Sequence, residues 1–147
     1  MLVQIAIGTG LLLTNILISA VAAMLLEVVF QRGHRWMLRE PHLPKMVLLF
    51  AGVSLWVLGV ITAGVWVWAE AFLAMGVFAT LEESLYFALV VYTTLGLGDV
   101  LLPQDWRLLA GMAAANGFLN FGLLTALLIE ALRQVRLGQH EVKRQRP

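Results

Sequence analysis

The residues with the clearest chemical potential form one short run in the chain, Thr93-Thr94-Leu95-Gly96-Leu97-Gly98-Asp99. Gly96 and Gly98 stand two residues apart, and glycine adopts the positive φ angles that residues with a Cβ avoid. Alternating permissive residues allow successive backbone carbonyls to point one way, where they can replace the water around a cation. The run therefore predicts a carbonyl-lined cation site, although a G-x-G on its own also occurs in simple turns.

A short helix is expected to position this run. Thr80-Leu81-Glu82-Glu83 has the form of a capping box with Thr80 as the N-cap, and its two glutamates complement the positive end of a helix dipole. The apolar stretch at 85–94 is too short to cross a membrane and is typical of a re-entrant segment. Non-helical backbone at membrane depth is tolerated only where it lines a cavity or is buried in protein.

The composition places these elements in a membrane protein. Of the 147 residues, 61% are hydrophobic and 13% are charged, whereas globular domains have about 45–50% and about 25%. Three uncharged runs, at 2–26, 46–69 and 108–129, are each long enough to cross a hydrocarbon core of roughly 30 Å. We therefore predict an all-α membrane protein with three transmembrane helices in a lipid bilayer, plus the re-entrant segment.

The few charged residues predict the orientation. Nine of the ten basic residues lie in two segments that three crossings place on one side: Arg32, Arg35, Arg39, Lys45, Arg133, Arg136, Lys143, Arg144 and Arg146. The positive-inside rule assigns that side to the cytoplasm, so the N-terminus is expected outside. The outward stretch 70–107 carries five carboxylates and one arginine, which either concentrates cations or reflects the usual scarcity of basic residues in outward loops.

Other function classes find little support. The chain has no cysteine, which excludes disulfides and thiolate metal sites, and a net charge of +1 gives no nucleic-acid footprint. The histidines, His34, His42 and His140, lie away from any intramembrane serine or carboxylate cluster, so we predict that the protein is not an enzyme. In the first span, Gly8, Asn15, Ser19 and Ala22 form a stripe suited to packing on another helix, and Gly52 and Gly59 are candidates for the matching groove.

The run at 93–99 resembles the T-T-V-G-Y-G-D selectivity filter of the potassium channel superfamily. A short apolar segment precedes it and two spans flank it, as in the prokaryotic members with one pore loop per chain, and the resemblance covers residues 46–133. It implies four chains around a central pore, a homotetramer that passively conducts monovalent cations, above all potassium. It also implies potassium ions in the filter, no organic cofactor, and a location in the bacterial inner membrane.

The uncharged runs, the basic segments and the resemblance together divide the chain into four predicted parts. Residues 1–31 form an extra N-terminal transmembrane helix, 32–45 a basic cytoplasmic loop, 46–136 the pore domain and 137–147 a basic cytoplasmic tail. The pore domain then consists of an outer helix, a pore helix at 81–92, the filter at 93–99 and an inner helix at 106–136.

The resemblance also assigns roles to individual residues. It implies that potassium is bound by the backbone carbonyls of Thr94, Leu95, Gly96 and Leu97. Gly98 completes the filter strand, Thr93 flanks it and Asp99 sits at the outer mouth. The inner helix supplies a hinge and the cavity wall, from Gly117, Phe118, Phe121 and Thr125.

Three departures from the family pattern affect the filter. Leu97 replaces the tyrosine that braces the filter, and leucine cannot hydrogen-bond; Leu95 is bulkier than the usual valine. Val90 occupies the place where some members carry a glutamate that partners the filter aspartate, so Asp99 is expected to lack that partner. The alternatives are therefore a weakly selective or non-selective cation channel, or a non-conducting regulatory subunit with a pore-like fold.

The inner helix carries a second candidate cavity face, formed by Asn116 and Asn120. Buried amides in a membrane helix are costly unless they are partnered or wet. At about 100° per residue these positions lie nearly opposite Phe118, Phe121 and Thr125, so only one set can face the pore of a straight helix. The family register favours Phe118, Phe121 and Thr125 as the residues that face the pore, and it leaves the two asparagines to hydrogen-bond to other helices.

The departure at Leu97 generates a first prediction. Leu97→Tyr restores the hydroxyl and ring that brace the filter in the family, so any weak preference for potassium over sodium should increase. Reversal potentials with potassium on one side of a bilayer and sodium on the other measure this preference. If the variant has the same preference for potassium over sodium as the wild type, bracing at this position does not set selectivity.

Overall fold

The computed structural model describes the backbone of residues 1–37 and 42–144, and the side chains of residues 1–29, 32, 47–130 and 133. Within these described residues four helices follow one another: α1 (Leu2–Met37), α2 (His42–Ala74), α3 (Leu81–Tyr92) and α4 (Arg107–Arg144), the last preceded by a 3-10 turn at Gln104–Trp106. The described backbone contains no strand. In the part of the chain that the structure describes, three segments are long and apolar enough to span a membrane: Leu2–Val29, Val47–Ala74 and Gln104–Glu130. The predicted all-α class with three membrane-length helices is confirmed.

The helices extend beyond the uncharged runs from which they were predicted. α1 continues to Met37 and α2 begins at His42, so the segment expected to be a basic loop is helical except at 38–41, which lie outside the described residues. α4 likewise continues to Arg144, through most of the expected tail. Charged residues end an apolar span, but lysine, arginine, glutamate and glutamine are good helix formers and do not end a helix.

The contacts between helices give their relative directions. Gln4 donates a hydrogen bond to the carbonyl of Asp105, and Ser19 donates one to Asn120 at 2.9 Å, so α1 runs beside α4 in the same direction. Trp56 of α2 donates to the carbonyl of Ala22 on α1, whereas Gly64, further along α2, lies beside Asn15, so α2 runs opposite to α1 and therefore to α4. The N-terminus therefore lies at the same end of the bundle as the segment between α3 and α4.

The small and polar stripe of α1 is buried as expected. Gly8, Asn15, Ser19 and Ala22 are all buried, and a Cβ at Gly8 would overlap the side chain of Met112 on α4. The expectation that Gly52 and Gly59 supply the groove is wrong, because a Cβ at either would meet nothing within 4 Å. The stripe packs instead on α4 and on Gly64 of α2, where a Cβ would overlap Asn15 Oδ1.

An aromatic cluster fixes α3 against the bundle. Phe72 of α2 lies 5.4 Å from Phe87 of α3, measured between ring centroids, with the rings close to perpendicular. Phe78, from the loop between the two helices, lies 5.1 Å from Phe87. Such aromatic pairs contribute about 0.5–1.5 kcal/mol beyond the area they bury. Together they orient α3 so that its last residue, Tyr92, is fully buried between α2 and α4.

The close approach at Gly64 generates a second prediction. A Cβ there would overlap the Tyr92 hydroxyl and Asn15 Oδ1, and overpacking of this kind costs about 1–3 kcal/mol. Gly64→Ala should therefore lower the melting temperature of the purified protein, even though alanine is intrinsically the better helix former by about 0.8–1 kcal/mol. Gly59→Ala on the same helix meets open space and should melt at or slightly above the wild-type temperature. Equal melting temperatures for the two variants would contradict the packing described here.

Candidate functional site

α3 begins with the side-chain cap that its sequence predicts. Thr80 has extended backbone angles of φ −129° and ψ 152°, and its Oγ1 accepts a hydrogen bond from the N–H of Glu83 at 3.2 Å. Glu82 and Glu83 lie in the first turn, where carboxylates stabilise the positive end of the helix dipole. The helix ends at Tyr92 and Thr93 is its C-cap, with the Thr93 hydroxyl donating to the carbonyl of Leu89 at 2.8 Å.

The backbone after α3 alternates in conformation. Thr94, Gly96 and Gly98 have positive φ angles of 59°, 57° and 75°. The two glycines adopt this region without steric penalty, as expected from their spacing. Thr94 is β-branched and was not expected there; such strain costs about 1–3 kcal/mol and is typical of functional sites. A threonine at position 94 does not by itself predict a positive φ angle.

The amide groups of this run point back toward α3. Thr94 N–H donates to the carbonyl of Val91 at 2.9 Å, and the N–H groups of Leu95 and Gly96 both donate to the carbonyl of Val90, at 3.0 and 3.2 Å. In a trans peptide the N–H and the C=O point in opposite directions. The carbonyls of Thr93, Thr94 and Leu95 therefore point away from α3. This is the arrangement that a carbonyl-lined cation site needs.

The run forms an open edge of the single chain. Leu95 and Leu97 are 63% and 59% exposed, and a Cβ at Gly96 or Gly98 would meet nothing within 4 Å. Irregular backbone at membrane depth must be covered by protein or line a cavity. One chain by itself provides one wall of the site and leaves the other side uncovered.

Asp99 has a partner that the sequence analysis did not identify. Tyr86 of α3 donates a hydrogen bond from its hydroxyl to Asp99 Oδ2 at 2.5 Å. The expectation that Asp99 lacks a partner because Val90 replaces a glutamate is therefore corrected: the donor stands one helical turn before Val90. The hydrogen bond from Tyr86 holds the pKa of Asp99 below its ordinary value, and the same bond raises the pKa of Tyr86. Tyr86 and Val90 are four residues apart and lie on one face of α3, so their spacing could have indicated that Tyr86 is the donor to Asp99.

The structure places the two candidate faces of α4 in different surroundings. Asn116 and Asn120 are buried inside the chain, where Asn116 Oδ1 accepts from Trp68 and Asn120 Nδ2 donates to the Tyr92 hydroxyl at 2.5 Å. Phe118 is 74% exposed and Phe121 is 38% exposed, and Thr125 is also exposed. The asparagines thus hydrogen-bond to other helices, and the open face of α4 carries Phe118, Phe121 and Thr125.

Gly117 lies at the point of closest approach between α3 and α4. A Cβ there would overlap the carbonyl group of Tyr92, so no other residue fits without moving the end of α3. α4 continues without a break through this position. The structure therefore gives Gly117 a packing role, and its role as a hinge remains a prediction.

No side-chain metal site accompanies the run in the part of the chain whose side chains are described, where no group of three or more His, Asp or Glu could hold a metal ion. His34, His42 and His140 lie outside that part. The candidate ligands for a cation are the backbone carbonyls of the run.

The Tyr86–Asp99 hydrogen bond generates a third prediction. Tyr86→Phe removes the donor that favours the ionised carboxylate, so the pKa of Asp99 should rise toward its ordinary value. Because the bond lowers the Asp99 pKa in the folded protein, its stabilising contribution is present above the unfolded-state pKa and is lost as the pH falls through the folded-state pKa. A 13C NMR titration of the Asp99 carboxyl in nanodiscs measures the shift.

The matched control is Thr62→Val, because the Thr62 hydroxyl donates to the carbonyl of Leu58 in the same helix and not to Asp99. It should leave the Asp99 titration unchanged. An Asp99 pKa that is the same in the wild type and in Tyr86→Phe would contradict the assignment.

The comparisons with known proteins agree with this geometry. No curated protein and no solved structure matches the chain significantly. A family model described as "Ion channel" matches residues 46–134, which extend from the apolar part of α2 through α3 and the run at 93–99 into α4. The match covers more than half of the chain, so the protein belongs to this ion channel family and its pore domain is of the potassium-channel type.

Proposed function

We propose that the chain is one subunit of a homotetrameric, passive cation channel that conducts potassium. The observation that carries the proposal is the backbone of the filter run, where positive φ angles alternate at Thr94, Gly96 and Gly98 directly after a helix of 12 residues. The family match supports an ion channel. The backbone carbonyls that point away from α3 supply oxygen ligands for a cation.

The proposed mechanism is dehydration of the ion without a covalent step. Carbonyls of Thr94, Leu95, Gly96 and Leu97 replace the hydration shell of potassium, and the Thr94 hydroxyl closes the innermost site. Gly98 completes the strand, and the ionised Asp99 adds negative charge at the mouth. The negative end of the α3 dipole faces the start of the filter and stabilises a cation there.

The tetramer is proposed because a single chain leaves the filter incomplete. The edge formed by the filter run is uncovered, and Tyr86, Leu89, Leu95 and Leu97 are exposed beside it. Four copies around an axis would cover this apolar surface and bring four sets of carbonyls together. In that assembly the exposed face of α4, with Phe118, Phe121 and Thr125, lines the central cavity, and Gly117 is the position for bending.

The proposed orientation places the N-terminus and the filter mouth outside a bacterial inner membrane. Its support is the hydrogen bond between Gln4 and Asp105, which places the N-terminus at the end of the bundle that carries the outward carboxylates. Arg32 and Arg133, in the C-terminal parts of α1 and α4, lie toward the opposite end of the bundle.

A second candidate is a cation channel with weak or no preference for potassium. It is favoured by Leu97, which has no hydroxyl and is 59% exposed on the chain, so it donates no hydrogen bond that would hold the filter width. The third alternative, a non-conducting regulatory subunit, predicts a folded protein that passes no ion by itself.

Ion flux into liposomes generates a fourth prediction and separates these candidates. Purified protein should admit potassium passively along its gradient. Gly96→Ala should reduce the flux by about five- to thirtyfold, because a Cβ at a φ of 57° is disfavoured by about 1–2 kcal/mol. Gly10→Ala, on an open helical position, should conduct like the wild type. Absence of flux from a folded wild-type tetramer would favour the regulatory subunit, and equal sodium and potassium flux would favour the non-selective channel.

A further inference from the structure

Polar side chains are concentrated at one level of the bundle interior. Of the five buried polar side chains in the described part of the chain, four lie where α1, α2 and α4 meet: Asn15, Ser19, Asn116 and Asn120. Polar groups within a membrane-spanning bundle are costly unless hydrogen bonds satisfy them. The hydrogen bonds that they make therefore indicate where the bundle depends on a specific geometry.

Two of these bonds connect α1 to the end of α3. Ser19 Oγ donates to Asn120 Oδ1 at 2.9 Å, and Asn120 Nδ2 donates to the Tyr92 hydroxyl at 2.5 Å. Tyr92 is the last residue of α3, and the strained Thr94 follows it by two positions. A helix outside the segment matched by the ion channel family thus reaches the start of the filter through a single intermediate side chain.

Tyr92 is also held by two close backbone approaches. Its carbonyl packs on Gly117 of α4 and its hydroxyl lies beside Gly64 of α2, and a Cβ at either glycine would overlap it. A strained conformation such as that of Thr94 persists only when its surroundings over-determine it. The orientation of Tyr92 supplies that constraint, because its main chain leads directly into the filter.

Apart from the hydrogen bond from Tyr86 to Asp99 at its outer end, the proposed filter depends on backbone hydrogen bonds to α3. The side chain of Leu97 cannot hydrogen-bond. The N–H groups of Leu95 and Gly96 both donate to one carbonyl, that of Val90 in the last turn of α3. Any shift of that turn therefore moves the filter carbonyls.

We propose that α1 is a filter-positioning helix, and that Ser19 and Asn120 are positioning residues that set ion selectivity through the Tyr92 hydroxyl. The inference rests on the proposed cation channel, and it concerns residues that touch no ion. Loss of the Ser19 hydroxyl leaves Asn120 Oδ1 without its donor, so the Asn120 amide no longer holds the Tyr92 hydroxyl in one place.

The test compares reversal potentials of wild type and variants in planar bilayers, with potassium on one side and sodium on the other. Ser19→Ala and Tyr92→Phe should each lower the potassium-to-sodium permeability ratio by about three- to tenfold, the change expected from the loss of one interhelical hydrogen bond. The double variant should have the ratio of Tyr92→Phe alone, because both changes interrupt the same connection.

The matched control is Thr14→Val. Thr14 is also on α1, but its hydroxyl binds only the carbonyl of Gly10 in the same helix and is exposed. It should leave the permeability ratio unchanged, and the melting temperatures of all variants report whether the bundle is intact. If Ser19→Ala fails to assemble, Ser19→Cys replaces it, because a thiol is a weaker donor of similar size and should give an intermediate ratio.

Four results would overturn the inference. A wild-type ratio in Ser19→Ala beside a lowered ratio in Tyr92→Phe would show that α1 takes no part. A double variant with the combined loss of both single variants would show that the two hydroxyls act separately. A wild type that conducts without preference would overturn the inference and leave the cation channel standing. A folded wild type that passes no ion would overturn the proposed function and the inference with it.

Discussion

The position of the last turn of α3 is the constraint on which the rest of the structure depends. The carbonyl of Val90 accepts hydrogen bonds from the N–H groups of Leu95 and Gly96. Because these N–H groups share their peptide planes with the carbonyls of Thr94 and Leu95, the position of Val90 determines where those two carbonyls point. Rotation of this turn by a small angle would redirect the filter backbone. Three kinds of contact hold this turn in place. They are the aromatic contacts of Phe87 in the preceding turn, the close approach of Gly117 to the Tyr92 carbonyl, and the hydrogen bond from Asn120 to the Tyr92 hydroxyl.

The means of fixing this turn follow from the membrane environment. Lipid tails are as apolar as leucine, so helices in a bilayer gain little from the hydrophobic effect when they pack on one another. Close backbone approach and hydrogen bonds must supply the specificity instead. Gly8, Gly64 and Gly117 provide the approaches, and Ser19, Asn120 and Tyr92 provide the bonds. The same few residues thereby hold the bundle together and position the run at 93–99, the proposed filter.

Local chemistry made parts of this structure predictable and left others out of reach. The cap at Thr80 and the freedom of Gly96 and Gly98 depend on neighbouring residues, so the sequence was sufficient for them. The stripe on α1 was visible from its spacing, but its partner on α2 was not, because the glycine that lies against it depends on how α1, α2 and α3 meet. The positive φ of Thr94 and the bond from Tyr86 to Asp99 likewise arise from tertiary geometry. α1 and α4 continue past the ends of the uncharged runs because charged residues end an apolar span without ending a helix.

The central claim is that backbone carbonyls of residues 94–97 bind the permeant ion on an axis shared by four chains. An experimental structure of the protein in rubidium or thallium, with anomalous scattering used to locate the ions, tests it most directly. Peaks on a fourfold axis, each level with a ring of these carbonyls, are the predicted result. Anomalous density that lies off any axis beside acidic side chains, or an assembly whose filter edges do not face one another, would contradict it.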